Sequence, residues 1–511
     1  MSLLQDNQKT NQTKKHTMKT ETEKLSMKSQ NLIAIAVLIT CLALLCAAAA
    51  PKAFGVVPPP DGGYPGGNTA EGQSALLSLT NGTYNTAVGV FTLRSNTEGN
   101  FNTANGAGAL LLNTEDENTA TGAGALLSNT TGFGNTANGA FALFSNTEGS
   151  GNTAIGISAL FSNTTGGDNT ASGTFALLNN TEGSSNTAVG RDALLSNTAH
   201  NNTAIGRSAL GSNTTGTRNT ASGVGALENN TTGSYNTATG LGALFFNTTA
   251  DNNTAVGINT LLDNTTGDSN TACGATALLS NTTGRANTAN GANALFSNTT
   301  GLGNAASGVS ALINNTTGNL NVALGFQAGT SVTTVDRVIC IGANIDGENV
   351  PDSCYIGNIF GQTSVSGLPV LITSHNKLGT TTSSKRFKKD IKPMDKASEA
   401  LLALKPVTFR YKKEIDPAGR PQFGLVAEEV AEVNPDLVVR DKEGKPYTVR
   451  YDAVNAMLLN EFLKEHRKVE KLEATLEAVN ARLQEQAAQI QKVTTQVNAT
   501  QPLPHLVRNN P

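Results

Sequence analysis

Apolar residues fall into three regimes along this chain. A polar, Lys-rich segment of about 30 residues runs into an unbroken apolar stretch from Leu32 to Ala50. From Asn68 the apolar positions then recur with one fixed period, and from Tyr451 onward they alternate by three and four. In the middle regime the unit Asn-Thr-Ala-x-Gly-x-x-Ala-Leu-x-x-Asn-Thr-Thr-Gly-x-x starts at 68, 85, 102, 118, 135, 152, 169, 186, 202, 219, 236, 253, 270, 287, 304 and 321. The third position is Ala in every unit (Ala70 to Ala323), the fifth is Gly (Gly72 to Gly325), and the ninth is Leu in all but the last. Self-similarity at a short fixed period predicts a solenoid.

The type of solenoid follows from the unit's length and its breakers. Seventeen residues with two Gly positions leave no room for a pair of helices, so each unit predicts one β-coil. Its Ala-Leu-Leu side chains point inward, and backbone hydrogen bonds run to the next coil. The Gly positions mark corners or close backbone approach, and the Asn and Thr positions stack as ladders that satisfy their own amides and hydroxyls. At about 4.8 Å per coil sixteen units predict a rod of roughly 75 Å. Two other readings of the polar positions stand beside the ladder: the Asn-Thr-Thr triplets formally match a glycosylation acceptor, and regularly spaced Thr suits an ice- or glycan-binding face. The inward residues are small, so three coils packed around an axis bury more than one alone. The kernel Asn-Thr-Ala-Ile-Gly (Asn152 to Gly156, Asn202 to Gly206) resembles that of trimeric autotransporter adhesin heads. Over residues 68–329 the resemblance implies a trimeric parallel β-roll, with a unit longer than those heads usually show.

The flanks complete the domain organisation. Residues 1–50 read as a leader, its apolar run serving either as a signal peptide cut near the small residues at 47–50 or as an uncleaved anchor helix, with Met18 and Met27 as alternative starts. Residues 51–67 form a linker, 330–380 a β connector of short strands, and 381–450 a separate domain where charge and Pro rise sharply. The heptad alternation over 451–497, carried by Leu458, Phe462, Val469, Leu472, Leu476, Val479, Leu483 and Ile490 with Gln486 in the seam, predicts a coiled coil. Residues 498–511 read as a disordered tail.

Composition narrows the chemistry. With 52 Gly, no Trp, 15% charged residues and a net charge of -3, the chain departs from an average enzyme and offers no field to attract nucleic acid. Cys340 and Cys354 either pair as a disulfide in an exported chain or remain two buried thiols, and Cys273 lies within the repeats. No His accompanies them, so neither a zinc site nor any cofactor is expected.

Four blocks in the C-terminal region carry a more specific resemblance: Ser383-Ser384-Lys385-Arg386-Phe387-Lys388-Lys389-Asp390-Ile391, Leu404 to Tyr411, Phe423 to Val430, and Tyr451-Asp452. Together they resemble the endosialidase-type intramolecular chaperone, a self-cleaving peptidase domain at the end of phage tail spikes and bacterial fibre proteins. The resemblance implies a domain that trimerises, guides folding of the β-fibre ahead of it and cuts itself free with Ser383 as nucleophile and Lys388 as base. A Ser hydroxyl needs such a base, and a Lys serves when desolvation or neighbouring cations favour its neutral form. Here Lys385, Arg386 and Lys389 are the neighbours. The chain departs from the family at Ser384, where Asp is common, and at Gln422-Phe423, where a His is common, which puts cleavage in doubt more than fold. The expectation is a mainly β, exported homotrimeric fibre of the cell surface or secreted space, followed by a small α+β chaperone domain and a coiled-coil helix. Any enzymatic activity is confined to one cut in its own chain. The alternative is an ice- or glycan-binding solenoid with a peptidase-inactive trimerisation domain.

Overall fold

The computed structural model describes residues 64–360, 362, 370–373, 377–380 and 382–500. The leader with Cys41 and Cys46, most of the 51–67 linker and most of the C-terminal tail lie outside the described residues. The chain divides between residues 362 and 363 into two compact units.

The first unit is a parallel solenoid. Each repeat contributes one three-residue strand, Thr-Ala-x in the first fourteen, from β1 (Thr69–Glu71) to β16 (Val322–Leu324). Like positions stack on like, so that Thr69, Ala70 and Glu71 pair with Thr86, Ala87 and Val88. The pleat sends the strand's outer residues to solvent and its Ala inward, where it joins the Ala of the eighth and the Leu of the ninth position in one continuous core. At Thr92 and Thr260 the eighth-position Ala is replaced, and each buried hydroxyl donates to a glycine carbonyl, Gly89 O at 2.9 Å and Gly274 O at 2.7 Å. The second Leu of the Ala-Leu-Leu motif departs from the expectation. The tenth position lies half-buried on the outside of the coil in most units, as at Leu127, Phe144 and Leu262.

Two fully buried Asn ladders hold the coils together. The first-position Asn accepts, through its side-chain carbonyl, the backbone N–H of the Asn one coil on, as from Asn152 to Asn135 at 2.9 Å. The twelfth-position Asn forms the second rail, with Asn146 Nδ2 donating to Asn129 Oδ1 and to Gly149 O at 2.7 and 2.8 Å. Unpaired amides would cost about 1–3 kcal/mol each in such a place, so the ladder converts buried polar groups into axial register. It also excludes the glycosylation reading: Asn129 of Asn129-Thr130-Thr131 is 0% exposed and its amide nitrogen is spent on Asn113 and Gly132. The Thr of the thirteenth position is likewise occupied, Thr130 Oγ1 donating to Thr147 O at 2.9 Å.

Backbone geometry explains the fifth-position Gly. At Gly223, φ is +146° and an added Cβ would lie 2.3 Å from the carbonyl oxygen of Gly240 in the next coil. Less expected, the ninth-position Leu is also left-handed, with φ +51° at Leu143 and +54° at Leu160. That conformation costs an L-residue about 1–2 kcal/mol, and here it accompanies a Leu that is fully buried in the core.

The sheet does not stop at residue 329. Two further strands, β17 (Ile339–Ile341) and β18 (Cys354–Ile356), continue it in parallel to a total of eighteen. In β17, Cys340 takes the inward place of the Ala, opposite Tyr355, while Cys354 stands opposite Ile339 on the outer face. Side chains on opposite faces of paired strands cannot bridge. Cys340 is therefore a buried free thiol, with burial pushing its pKa up to about 11, and Cys354 and Cys273 are exposed free thiols. Neither the disulfide nor a pair of buried thiols is realised.

The second unit is a set of small elements. Antiparallel pairs join Val370–Ile372 to Leu378–Thr380, Val407–Phe409 to Gln422–Gly424, and Val438–Arg440 to Pro446–Val449. A 3₁₀ helix spans Asp395–Ala403, a short α-helix Ala427–Val433, and a single α-helix of 49 residues Tyr451–Ala499. Among the described residues of this unit five hydrophobic side chains are buried: Val430, Leu437, Val438, Val449 and Met457.

Candidate active site

Ser383 and Lys388 are brought together by one turn. Ser384 is extended, Lys385–Phe387 form a 3₁₀ turn, and the N–H groups of Phe387 and Lys388 donate to the carbonyls of Ser384 and Lys385, both at 3.1 Å. Five residues are thereby folded into a span that a single Lys side chain crosses, and Lys388 Nζ donates to Ser383 Oγ at 3.0 Å. The distance meets the geometric requirement for a nucleophile and its base. Arg386 lies over the ring of Phe387, 4.6 Å from its centroid, as a stacked cation. Both dyad side chains are exposed. The geometry is therefore in place in a single chain, while a dry surround is not.

The other sequence blocks meet one another. Val407–Phe409 pairs with Gln422–Gly424, and the Tyr451 hydroxyl accepts the N–H of Leu425 at 3.1 Å. Gly424 is needed at that crossing, because a Cβ would sit 2.9 Å from the Tyr451 oxygen. Leu404, Phe423, Leu425, Val454 and Leu458 line an open apolar groove of about 660 Å³. Phe423 is 82% exposed. Every seam residue of the long helix from Leu458 to Ile490 is exposed as well.

A second polar cluster escaped the sequence reading. Ser398 is fully buried in the 3₁₀ helix; its hydroxyl donates to Glu461 Oε1 at 2.5 Å and accepts from Asn460 Nδ2 at 2.7 Å, while Lys464 holds Glu461 at 2.7 Å. The hydrogen bonds from Lys464 and Ser398 hold the Glu461 carboxyl below its usual range. This knot pins the 3₁₀ helix to the long helix. Its one trace in the sequence is the Glu461/Lys464 pair at i,i+3.

Among the described residues no group of three potential metal ligands is found, and no helix is long and apolar enough to cross a membrane. The strand's outward Thr forms a single column beside unlike residues at the fourth position.

Neither a curated protein nor a solved structure matches the chain. Residues 383–439 match the model of the family described as chaperone of endosialidase, a match that opens on Ser383 and takes in the short helix. A domain of this kind set behind a parallel solenoid of 17-residue repeats makes the chain a tail-fibre-like protein with an intramolecular chaperone domain.

Proposed function

We propose that the chain is exported and assembles as a homotrimeric fibre, that its C-terminal unit seeds the trimer and guides folding of the solenoid, and that this unit then cuts itself free through Ser383 and Lys388. The observation that carries the reading is the 3.0 Å contact between Lys388 Nζ and Ser383 Oγ at the first residue of the matched segment. The exposed heptad seam supports trimerisation, since a long helix with an uncovered apolar stripe gains by packing against copies of itself. Export rests on the apolar run Leu32 to Ala50. Folding logic points the same way: parallel coils of near-identical sequence pair in many registers, and a preassembled C-terminus starts three chains in phase.

The cut would run as acyl transfer. Ser383 Oγ bonds to a backbone carbonyl carbon and gives its proton to the neutral Lys388 amine. The carbon–nitrogen bond breaks as that proton passes to the leaving amine, and water then splits the ester. Neighbouring chains would dry the exposed Lys388 and so link cleavage to assembly.

A denaturing gel of wild type against Ser383→Ala and Lys388→Met tests this. Wild type is expected to appear as two fragments divided near residue 383, and both variants as intact chain. Full-length wild type would remove the peptidase step and leave an assembly domain.

A further inference from the structure

The tenth position of the repeat forms a column that the single chain leaves unfinished. Twelve of the sixteen units place Leu, Phe or Ile there, against six large apolar residues at the outward fourth position of the strand. Neighbours in the column touch along the axis, with the rings of Phe144 and Phe161 stacked at 5.1 Å. Most members remain half-buried, so the column is a continuous apolar ridge rather than part of the core.

At mid-shaft the ridge is broken by Gly211 and Glu228. Nothing in the backbone demands glycine at 211: its φ is not left-handed, and an added Cβ would meet nothing closer than the Ser208 carbonyl oxygen at 3.2 Å. The notch it leaves lies between two half-buried carboxylates, Asp192 and Glu228, whose pKa values burial raises. Asp192 is answered by Arg191 at 3.2 Å. The exposed Arg207 guanidinium acts on both carboxylates from within the chain, lowering their pKa values against the effect of burial, but among the described residues neither it nor the Glu228 carboxylate closes to a salt bridge or a hydrogen bond. A partly desolvated carboxylate whose neighbouring cation stays out of contact gains from a closer partner. The two signs balance within the notch, so identical copies set side by side in register offer each other the missing partner.

We infer that the tenth-position ridge is the surface on which copies of this chain pack along the shaft, with Arg207 of one copy pairing with Glu228 of the next. The inference rests on the trimer proposed above and names the face that makes it.

The test uses the full chain carrying Ser383→Ala, with the exposed thiols Cys273 and Cys354 changed to Ser. Leu262→Cys on the ridge and Thr271→Cys on the outer strand face are oxidised separately and run on non-reducing gels, with native mass taken by light scattering. Covalent dimer is expected from Leu262→Cys at about tenfold the yield from Thr271→Cys. A second arm co-expresses differently tagged chains bearing Arg207→Cys and Glu228→Cys and looks for the mixed disulfide. A trimer that cross-links at 271 and not at 262 overturns the ridge and leaves the proposed function standing. Linkage at 262 without the mixed 207–228 product overturns the charge pairing. A single-chain mass overturns both the ridge and the trimer.

Discussion

The two units of this protein solve the problem of burial in opposite ways. Each solenoid coil builds its core with its neighbours: Ala and Leu fill it, two Asn rails take up the buried amides apart from Asn96 Oδ1 and Asn253 Nδ2, and the backbone link of the first rail repeats without a gap from Asn85 to Asn304. Among its described residues the C-terminal unit buries five hydrophobic side chains and leaves Phe423, Leu402 and Tyr447 more than 70% exposed, along with the helix seam. A core closed within one chain can grow in many registers, whereas an apolar seam left open gains by packing against copies of itself. Under the function proposed above, the contrast becomes a division of labour, in which the incomplete part would set the phase for the more complete part.

The largest effect that would break this contrast comes from the seam. Phe462→Asp, exposed in a single chain at 64%, is expected to abolish assembly altogether in light scattering, although substitution of an exposed residue ordinarily changes stability by less than about 0.5 kcal/mol. Next is Gly223→Val in the shaft. Its side chain would meet the Gly240 carbonyl in a left-handed backbone, a loss of about 4 kcal/mol or more, read as local loss of exchange protection in the two coils that meet there. Asn146→Ala removes one rung, leaving the Asn129 side-chain carbonyl without its donor and Asn163 Nδ2 without one of its acceptors, an expected cost of about 2 kcal/mol by chemical denaturation. Thr136→Ala, on the exposed face of the same coil, should be close to neutral.

The smallest effect is a pH response confined to the C-terminal unit. Glu461 is held below the usual carboxyl range by Lys464 and Ser398. Its contribution to docking of the Asp395–Ala403 helix is therefore complete above the unfolded carboxyl's value and is lost as pH falls through the depressed folded value. Exchange protection of that helix should drop in acid in wild type, and Glu461→Gln should flatten the response.

The solenoid was legible because its period forces the same solution at every coil: Ala inward, Gly where a Cβ cannot fit, Asn and Thr in ladders. Its left-handed Leu was not, since an L-residue at positive φ contradicts local preference and is imposed by the coil's closure. The last two coils were hidden by composition, Val338-Ile339-Cys340 standing where Asn-Thr-Ala stood before, although Gly342 and Gly357 keep the fifth-position signal. The Cys340 and Cys354 alternatives stayed open because strand facing depends on that unseen register. Ser383 and Lys388 were found through a motif whose residues lie within one turn. The Ser398 cluster was missed because its partners are 62 to 66 residues away.

The most direct test of the division of labour is the native mass of the full-length Ser383→Ala chain, in which the C-terminal unit stays attached. The account predicts three chains per particle by light scattering across the working concentration range. A particle of one chain with an intact solenoid would contradict it.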